Sequence, residues 1–356
     1  MGIRRFLLIP LLFMCLVNLA AQAGQRNWTF QTTPGSGFFS SLSLQSGVWP
    51  IVSIYSAASE SKICQSTPMG WSYLQTIRVD HLNASPYDEE VIGCSIERSV
   101  MLDANEFRCV ESIADSAYDS RGRLWTITPG GAVRYRRSDG VWRTAAFMET
   151  DPTYGNPSIA FDPGGDLALL TGGVYQHYSP LTGWTEETIL PNTPNQIYCK
   201  DLAFDAAGKP HTLCQLGRNF LLDGDPRTGE WIPTELGDLI PSEGMVYGRP
   251  QLATDENGTV ATALSYGTSV YYLWNDGTGW QSEEVQGAAA NPGLGFPRFC
   301  GIDFDHENLP VISYTQSDGK IGIAYDPIVA VPEPSVLTFL AMGLMLGKRR
   351  LRIVAE

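Results

Sequence analysis

Charged side chains are scarce in this chain of 356 residues, and long apolar runs occur only near its two ends. Asp, Glu, Lys and Arg make up 17% of the residues against 43% hydrophobic residues, which excludes a disordered chain and a coiled coil. The 36 glycines and 23 prolines follow no collagen period. Their abundance is typical of many short strands joined by turns.

Basic residues are the scarcer charged class. The formal net charge is −14, and 18 basic and 36 acidic residues remain when the ionisable residues of the two terminal segments are set aside. A body this acidic repels phosphate backbones and anionic lipid headgroups. We therefore expect no nucleic-acid partner.

Residues 1–23 have the pattern of an export signal. Two arginines precede an apolar run from Phe6 to Ala20, and the small residues Ala21 and Ala23 frame the expected cleavage point. A retained membrane anchor is the alternative. The favoured interpretation is a signal peptide removed after Ala23.

The other end of the chain carries a second apolar run, Val336–Gly347, between a proline-rich motif and a basic cluster. The run is shorter than the roughly 20 residues that span a bilayer comfortably, so membrane insertion would depend on snorkelling of the cations and local thinning. A buried C-terminal helix of the globular body is the alternative. The motif consists of Val331, Pro332, Glu333, Pro334 and Ser335, and the cations are Lys348, Arg349, Arg350 and Arg352.

Residues 329–356 resemble the PEP-CTERM sorting signal of exopolysaccharide-producing bacteria, in which a Pro-Glu-Pro motif, a hydrophobic helix and an Arg-rich tail follow in this order. The resemblance implies recognition by a membrane exosortase, cleavage near the motif and transfer to the cell surface. Independently, cationic flanks stay in the cytoplasm, so the cations at both ends would leave everything between them outside. We expect a protein exported across the inner membrane, tethered there before processing and destined for the cell surface or extracellular matrix.

Six cysteines besides Cys15 agree with export, because an even number in an exported chain favours disulfides. Local geometry favours Cys94 with Cys109, and Cys199 with Cys214 across a predicted hairpin. Elimination leaves Cys64 with Cys300. The four histidines are scattered and no Cys-x-x-Cys occurs, so the sequence predicts no metal site and no cofactor.

Residues 24–328 contain an internal repeat with two landmarks. Apolar strands end in an Asp-containing turn at intervals of 43, 43, 50 and 50 residues, and a degenerate copy lies at 44–47. The second landmark is a tryptophan strand that closes each unit. The turn aspartates are Asp119, Asp162, Asp205, Asp255 and Asp305, and the tryptophans are Trp71, Trp142, Trp184, Trp231 and Trp280.

Each unit accommodates about four short antiparallel strands in roughly 40–50 residues, the size of a propeller blade. The sequence therefore predicts an all-β propeller, with six blades favoured and five to seven allowed. The last unit lacks its tryptophan strand, and residues 27–32 are expected to supply it and close the ring. Residues 78–110, between Trp71 and Trp142, are expected to be an irregular insertion, with an eroded seventh blade as the alternative.

The repeats resemble the bacterial extracellular propeller repeats described as sialidase-like or BNR-like. The Asp-box pattern of that set, Ser-x-Asp-x-Gly-x-x-Trp, is approached only by residues 116–125, with shifted spacing.

Two repeated residue types admit a functional and a structural interpretation. The turn aspartates could bind calcium, but turn formation by an Asx side chain is favoured because nearly every unit has one. The closing tryptophans could stack on sugars, but packing between blades is favoured. Trp49, Trp125 and Trp274 fall outside this series and are the better candidates for ligand contact.

No spacing of Ser, His, Tyr, Arg or carboxylate residues defines a catalytic set. The favoured hypothesis is a non-enzymatic surface or matrix propeller that binds polysaccharide or protein, with exosortase and the export machinery as processing partners. The alternative is an exported glycan-active enzyme, a sialidase-like hydrolase or a lyase, with its site in the central funnel.

Overall fold

The computed structural model is built almost entirely of β-strands. The terminal segments 1–23 and 329–356 lie outside the described residues. The structure describes residues 26, 28–36, 39–45, 49–55, 61–67, 70–76, 81–84, 91–94, 99–103, 106–110, 112–148, 157–179, 181–188, 198–216, 218–225, 229–240, 251–291 and 298–325.

The described strands form seven antiparallel sheets, which are the seven blades of a propeller. In blades I to VI the strand nearest the axis comes first in the chain, and each following strand lies further out. Blades I to III are β2 (Phe39–Gln45), β3 (Trp49–Tyr55), β4 (Ser61–Thr67) and β5 (Gly70–Thr76); β6 (His81–Ala84), β7 (Val91–Cys94), β8 (Ser99–Asp103) and β9 (Glu106–Val110); and β10 (Asp115–Tyr118), β11 (Leu124–Ile127), β12 (Ala132–Arg136) and β13 (Trp142–Phe147).

Blades IV to VI repeat this order, with one addition. In blade VI a short strand, β26 (Arg298–Phe299), also pairs with the second strand. The strands are β14 (Ser158–Phe161), β15 (Leu167–Thr171), β16 (Val174–Ser179) and β17 (Gly183–Thr188); β18 (Tyr198–Phe204), β19 (Pro210–Leu216), β20 (Arg218–Asp225) and β21 (Glu230–Glu235); and β22 (Ala253–Thr254), β23 (Val260–Tyr266), β24 (Ser269–Asn275) and β25 (Trp280–Glu284).

Blade VII combines the two ends of the propeller. Its inner strands are β27 (Gly301–Phe304), β28 (Pro310–Thr315) and β29 (Lys320–Tyr325), and its outermost strand is β1 (Thr29–Ser36). Thr29 lies opposite Tyr325 and Thr32 opposite Gly322. Closure by an N-terminal strand is thus confirmed, and the strand begins two residues later than the sequence predicts.

The preference for six blades is wrong. The described residues between 81 and 110 form the four-stranded sheet of blade II and not an irregular insertion. This sheet has strands of only four or five residues and contains no tryptophan, so neither landmark of the repeat marks it. The alternative of an eroded seventh blade is the correct one.

The apolar core is divided among the spaces between neighbouring blades. Leu170 and Tyr175 of blade IV pack with Leu202 and Trp231 of blade V, and comparable clusters join five other pairs of neighbouring blades. Middle strands are therefore covered on both faces, and all five residues of β15 are buried. Each blade depends on its neighbours to bury its faces.

The only helix in the described part of the chain is the single turn Leu236–Leu239, and no helix there has the length and apolarity to cross a membrane.

One of the three predicted disulfides is present. Cys199 and Cys214 are directly opposite each other on β18 and β19 and are bonded. Cys64 and Cys300 belong to two different core clusters and do not bond to each other, so that pairing is wrong.

The backbone also contradicts the pairing of Cys94 with Cys109. Cys94 lies on β7 and Cys109 on β9, and β8 separates the two strands. Two interstrand spacings amount to roughly 9.6 Å, and a disulfide joins Cα atoms less than about 7 Å apart.

Candidate functional site

The first strands of all seven blades surround a central tunnel with a cavity of about 670 Å³. The cavity opens where these strands end in the Asp-containing turns, on the surface that we call the turn face. Residues of these turns, including Asp162, Glu256 and His306, line the opening. The alternative hypothesis of a glycan-active enzyme places its site in this central funnel.

Small side chains form much of the tunnel wall. Alanine stands two residues before the turn aspartate in blades III to VI, at Ala117, Ala160, Ala203 and Ala253. The corresponding residue of blade VII is Asp303. Between its carboxylates, the tunnel wall therefore offers few reactive side-chain groups.

The carboxylates of the tunnel wall accept hydrogen bonds from the next blade. Asp115 Oδ2 accepts from Ile159 N at 3.1 Å and from Ser158 Oγ at 2.6 Å, which joins blade III to blade IV. Asp201 Oδ2 accepts from Leu252 N at 2.6 Å, which joins blade V to blade VI.

Blades VII and I are joined in the same way. Asp303 Oδ2 accepts from Leu44 N at 2.8 Å, and its Oδ1 accepts from Phe304 N in its own strand at 2.9 Å. In blade I a neutral side chain does this work, because Ser41 Oγ accepts from Leu82 N of blade II. These acids satisfy buried backbone N–H groups and tie the blades together.

At the position that Asp201 has in blade V, blade VI has Gln251 and blade VII has Gly301. Because the glycine has no side chain, the longer side chain of blade VI makes the bond to blade I. Gln251 extends past Gly301 to blade I, where its Oε1 accepts from Leu42 N at 3.2 Å. A Cβ on Gly301 would lie 2.6 Å from Leu42 N, so a larger residue would block this approach. The glycine makes room for the close contact of blades VII and I.

Burial raises the pKa of Asp303 to about 6, although hydrogen bonds from Leu44 N, Phe304 N and Ser43 Oγ favour its ionised form. The Asp303 side chain is half-buried by surface area and lines the tunnel.

The turn aspartates form Asx turns. Asp205 Oδ1 accepts from Ala207 N and Lys209 N, and Asp305 Oδ1 accepts from Glu307 N and Leu309 N. Asp119 forms the corresponding pair of bonds, and its Oδ2 also accepts from Arg123 Nε and Trp125 Nε1. The structure thus supports the turn-forming interpretation of the repeated aspartates.

Burial opposes ionisation of Asp119, but the hydrogen bonds from Arg123, Trp125 and Arg121 outweigh it and hold the pKa of this carboxyl below its usual value.

Successive turns pack against one another around the turn face. The residue after the aspartate in one blade lies beside the left-handed residue of the next turn, as Ala206 does beside Gly258. Between blades VI and VII the left-handed residue is Asn308, with φ of 63°, and its Oδ1 accepts from Glu256 N at 3.0 Å. The turns therefore form a continuous arc from blade III to blade VII.

The opening of the tunnel is acidic. Among the described residues that line the cavity, none is lysine or arginine, and His306 is the only one with a basic side chain. Asp162, Asp255, Glu256 and Asp305 lie at the opening. The opening of the tunnel therefore favours neutral or cationic ligands.

Trp125 and Trp274, two of the three tryptophans singled out for ligand contact, are not among the described residues that line the tunnel. Trp125 stacks on Tyr135 at 4.9 Å between ring centroids and donates to Asp119. Trp274 stacks on Tyr272 at 5.1 Å. The side chain of Trp49 lies outside the described residues, and ligand contact by these tryptophans stays a prediction.

Two of the closing tryptophans, Trp231 and Trp280, pack between blades. Trp231 packs edge-on against Tyr175 of blade IV, and Trp280 donates through Nε1 to Asp223 of blade V at 2.8 Å. Trp184 differs, because 43% of its surface is exposed and it contacts Tyr178 on its own hairpin.

Two groups of ionisable side chains are not indicated by the sequence. His211 is buried between blades V and VI, with Nδ1 2.7 Å from Asp223 Oδ1 and Nε2 3.5 Å from Asp205 Oδ2. Asp162, Asp166 and His177 form a group whose ligand atoms all lie within 4.8 Å of one another, the arrangement that can hold a metal ion. Strand pairing creates both groups, and no sequence spacing indicates them.

No family model matches the sequence, and no curated protein matches it. Solved structures do resemble the fold. A catalytically inactive variant of virginiamycin B lyase from Staphylococcus aureus with Quinupristin superposes with a TM-score of 0.60 and 13% identity, covering 85% of this chain and 99% of that one. A streptogramin B lyase gives 0.58 and 12%, covering 84% and 97%.

A third similar structure is the extracellular domain of a Bacteroides thetaiotaomicron protein described as a one-component system. It has a TM-score of 0.54 and 13% identity, and the match covers 84% of this chain and 40% of that chain. At these identities the likeness establishes the β-propeller fold, and activity has to be argued from the site.

Proposed function

We propose that the chain is an exported, surface- or matrix-associated propeller that binds a polysaccharide or protein at its turn face and catalyses no reaction. The PEP-CTERM-like segment 329–356 directs it there through an exosortase. In this proposal the propeller is a rigid display scaffold, and its ligand carries neutral or cationic groups.

This proposal rests on the hydrogen bonds that the tunnel carboxylates already make within the protein. A carboxylate oxygen of each of Asp115, Asp201 and Asp303 accepts a hydrogen bond from a backbone N–H group of the next blade. A general acid, base or nucleophile needs a free atom within hydrogen-bond reach of a substrate. Carboxylates engaged in this way stabilise the ring, and the alanines between them supply no chemistry.

The acidic opening supports the expected ligand class. Glu256 is exposed there, beside Asp255 and Asp305. Because these charges are of one sign, they attract cationic groups and leave neutral sugars unaffected, whereas an anionic polysaccharide would be repelled.

Binding is tested with the mature protein and the matrix polysaccharides and surface proteins of an exosortase-bearing host. Glu256→Lys at the opening is expected to weaken binding. Asp238→Lys, an equal charge change on the exposed one-turn helix of blade V, is the matched control and should bind as the wild type does. Equal binding by both variants would contradict a site at the turn face.

The same incubations test for catalysis. Unchanged polysaccharide chain length is expected. New reducing ends or unsaturated sugar ends, absent with heat-denatured protein, would overturn the non-enzymatic assignment and establish a hydrolase or a lyase respectively.

Routing is tested by intact mass and fractionation in hosts with and without the exosortase. Loss of residues 1–23 in both hosts, with loss of the tail beyond the Pro-Glu-Pro motif only where exosortase is present, is the expected result. A tail retained in both hosts would contradict the sorting proposal.

A further inference from the structure

Three potential metal ligands meet at the turn between the first two strands of blade IV. His177 Nε2 lies 3.4 Å from Asp162 Oδ2, and a carboxylate oxygen of Asp166 is within 4.8 Å of both ligand atoms. All three side chains are half-buried, so they are held in place and still open to solvent on one side. Asp162 also lines the tunnel opening.

The local fold determines this arrangement. Asp162 Oδ1 accepts from Asp166 N at 2.8 Å, which fixes the turn and leaves Oδ2 directed at His177. Alternation along the chain puts Ala168 on the same side as Asp166. His177 on β16 lies opposite Ala168 on β15, and the small alanine leaves the imidazole free to approach the turn.

Comparison with neighbouring blades shows what is unusual here. The fourth residue after the turn aspartate is basic in blades III and V, as Arg123 and Lys209, and Arg123 Nε lies 2.7 Å from Asp119 Oδ2. Blade IV has Asp166 at this position. A second carboxylate thus replaces a cation, and the group carries two formal negative charges beside one imidazole.

We propose that Asp162, Asp166 and His177 bind a divalent transition-metal ion, with Zn²⁺ as the best fit. One imidazole nitrogen and two carboxylate oxygens are a ligand set that zinc accepts. Tetrahedral geometry with bond lengths of about 2.0–2.1 Å separates ligand atoms by roughly 3.3 Å, close to the observed 3.4 Å between His177 and Asp162. The remaining carboxylate needs only a rotation within the turn to approach the ion.

Calcium and magnesium fit this group less well. Ca²⁺ takes 6–8 oxygen ligands and Mg²⁺ strongly prefers oxygen, whereas this group supplies a nitrogen and few oxygens. Three protein ligands leave at least one coordination position for water or for an oxygen of a bound partner.

The proposal is tested by titrating the chelator-treated mature protein with ZnCl₂ in a calorimeter. Asp166→Lys copies the residue of blade V and is expected to fold normally while weakening zinc binding by at least about 100-fold, since even indirect changes around a metal site cost 10- to 100-fold. His177→Ala should weaken it similarly. His306→Ala, which removes a histidine that lines the tunnel opening outside this group, is the matched control and should bind as the wild type does.

Co²⁺ provides a second readout that does not depend on affinity. The wild-type protein should give visible absorption bands of a low-symmetry nitrogen and oxygen site, and His177→Ala should shift them. Asp166→Asn, nearly identical in shape to the wild type, replaces Asp166→Lys if the lysine variant fails to fold.

Three results would overturn the proposal. The first is the absence of zinc binding by the wild type at millimolar concentration. The second is equal zinc binding by the wild type and both ligand variants. The third is Ca²⁺ binding that is as tight as Zn²⁺ binding and that His177→Ala leaves unchanged.

Discussion

Gly258 in blade VI is a position where one added methyl group should have a large effect. Its φ is 82°, and a Cβ there would lie 2.0 Å from Ala206 N and 2.6 Å from Ala206 Cα in the neighbouring turn. These are backbone atoms, so no side-chain rotation relieves the overlap, and the two turns must move apart.

Gly165 in blade IV is the matched control. Its φ is 85°, but the nearest atom to an added Cβ is Ser120 Oγ at 3.8 Å, an ordinary contact. Both substitutions carry the left-handed penalty of roughly 1–2 kcal/mol. Only Gly258→Ala adds the cost of forcing apart a packed contact, about 1–3 kcal/mol.

We therefore expect a loss of roughly 2–5 kcal/mol for Gly258→Ala and about 1–2 kcal/mol for Gly165→Ala. At about 2–4 °C per kcal/mol, the former should melt several degrees lower than the latter, in a thermal scan followed by circular dichroism. Equal melting temperatures would refute the contact between turns as a source of stability.

Three further predictions concern the tunnel, the closure of the ring and the disulfide. Because the pKa of Asp303 in the folded protein, about 6, is above its unfolded value, the associated stability is present below about pH 4 and is lost as the pH rises to about 6. Relative to Asp303→Asn, the wild type should lose up to roughly 3 kcal/mol of unfolding free energy between pH 4 and 7, measured by urea unfolding, and a constant difference would contradict this. Trp28→Ala removes a buried ring beside Tyr272 and should cost about 3–5 kcal/mol, whereas the exposed Trp184→Ala should cost less than about 1 kcal/mol; similar melting temperatures would argue against N-terminal closure. Replacing both Cys199 and Cys214 by alanine should lower the free energy of unfolding by about 2–4 kcal/mol, and an unchanged urea midpoint would contradict a stabilising bond.

Features that depend on a few consecutive residues could be predicted from the sequence. The Asx turns at Asp119 and Asp305 are such features, because an aspartate bonds to backbone two and four residues later. Closure by β1 was also predictable, since the last blade lacked a strand and the N-terminal segment supplied one.

Features that depend on strand pairing could not be predicted in this way. Asp162 and His177 are 15 residues apart and meet only because β16 places His177 opposite Ala168. Blade II is only the alternative interpretation of its segment, because its short strands lack both landmarks of the repeat. The pairing of Cys64 with Cys300 was assigned by elimination, and an even count of cysteines does not decide which core each thiol enters.

The position of β29 determines how the propeller carries mechanical load. This last strand before the C-terminal segment is hydrogen-bonded to β28 on one side and to β1 on the other. When tension applied beyond Tyr325 acts along the strand, both sets of hydrogen bonds are loaded in shear and must break together. An outermost strand would instead peel from a single neighbour one bond at a time. The N-terminal strand β1 thus holds β29 in the sheet from its outer side. A pull along β29 from the tail is therefore resisted by hydrogen bonds to both neighbouring strands of blade VII.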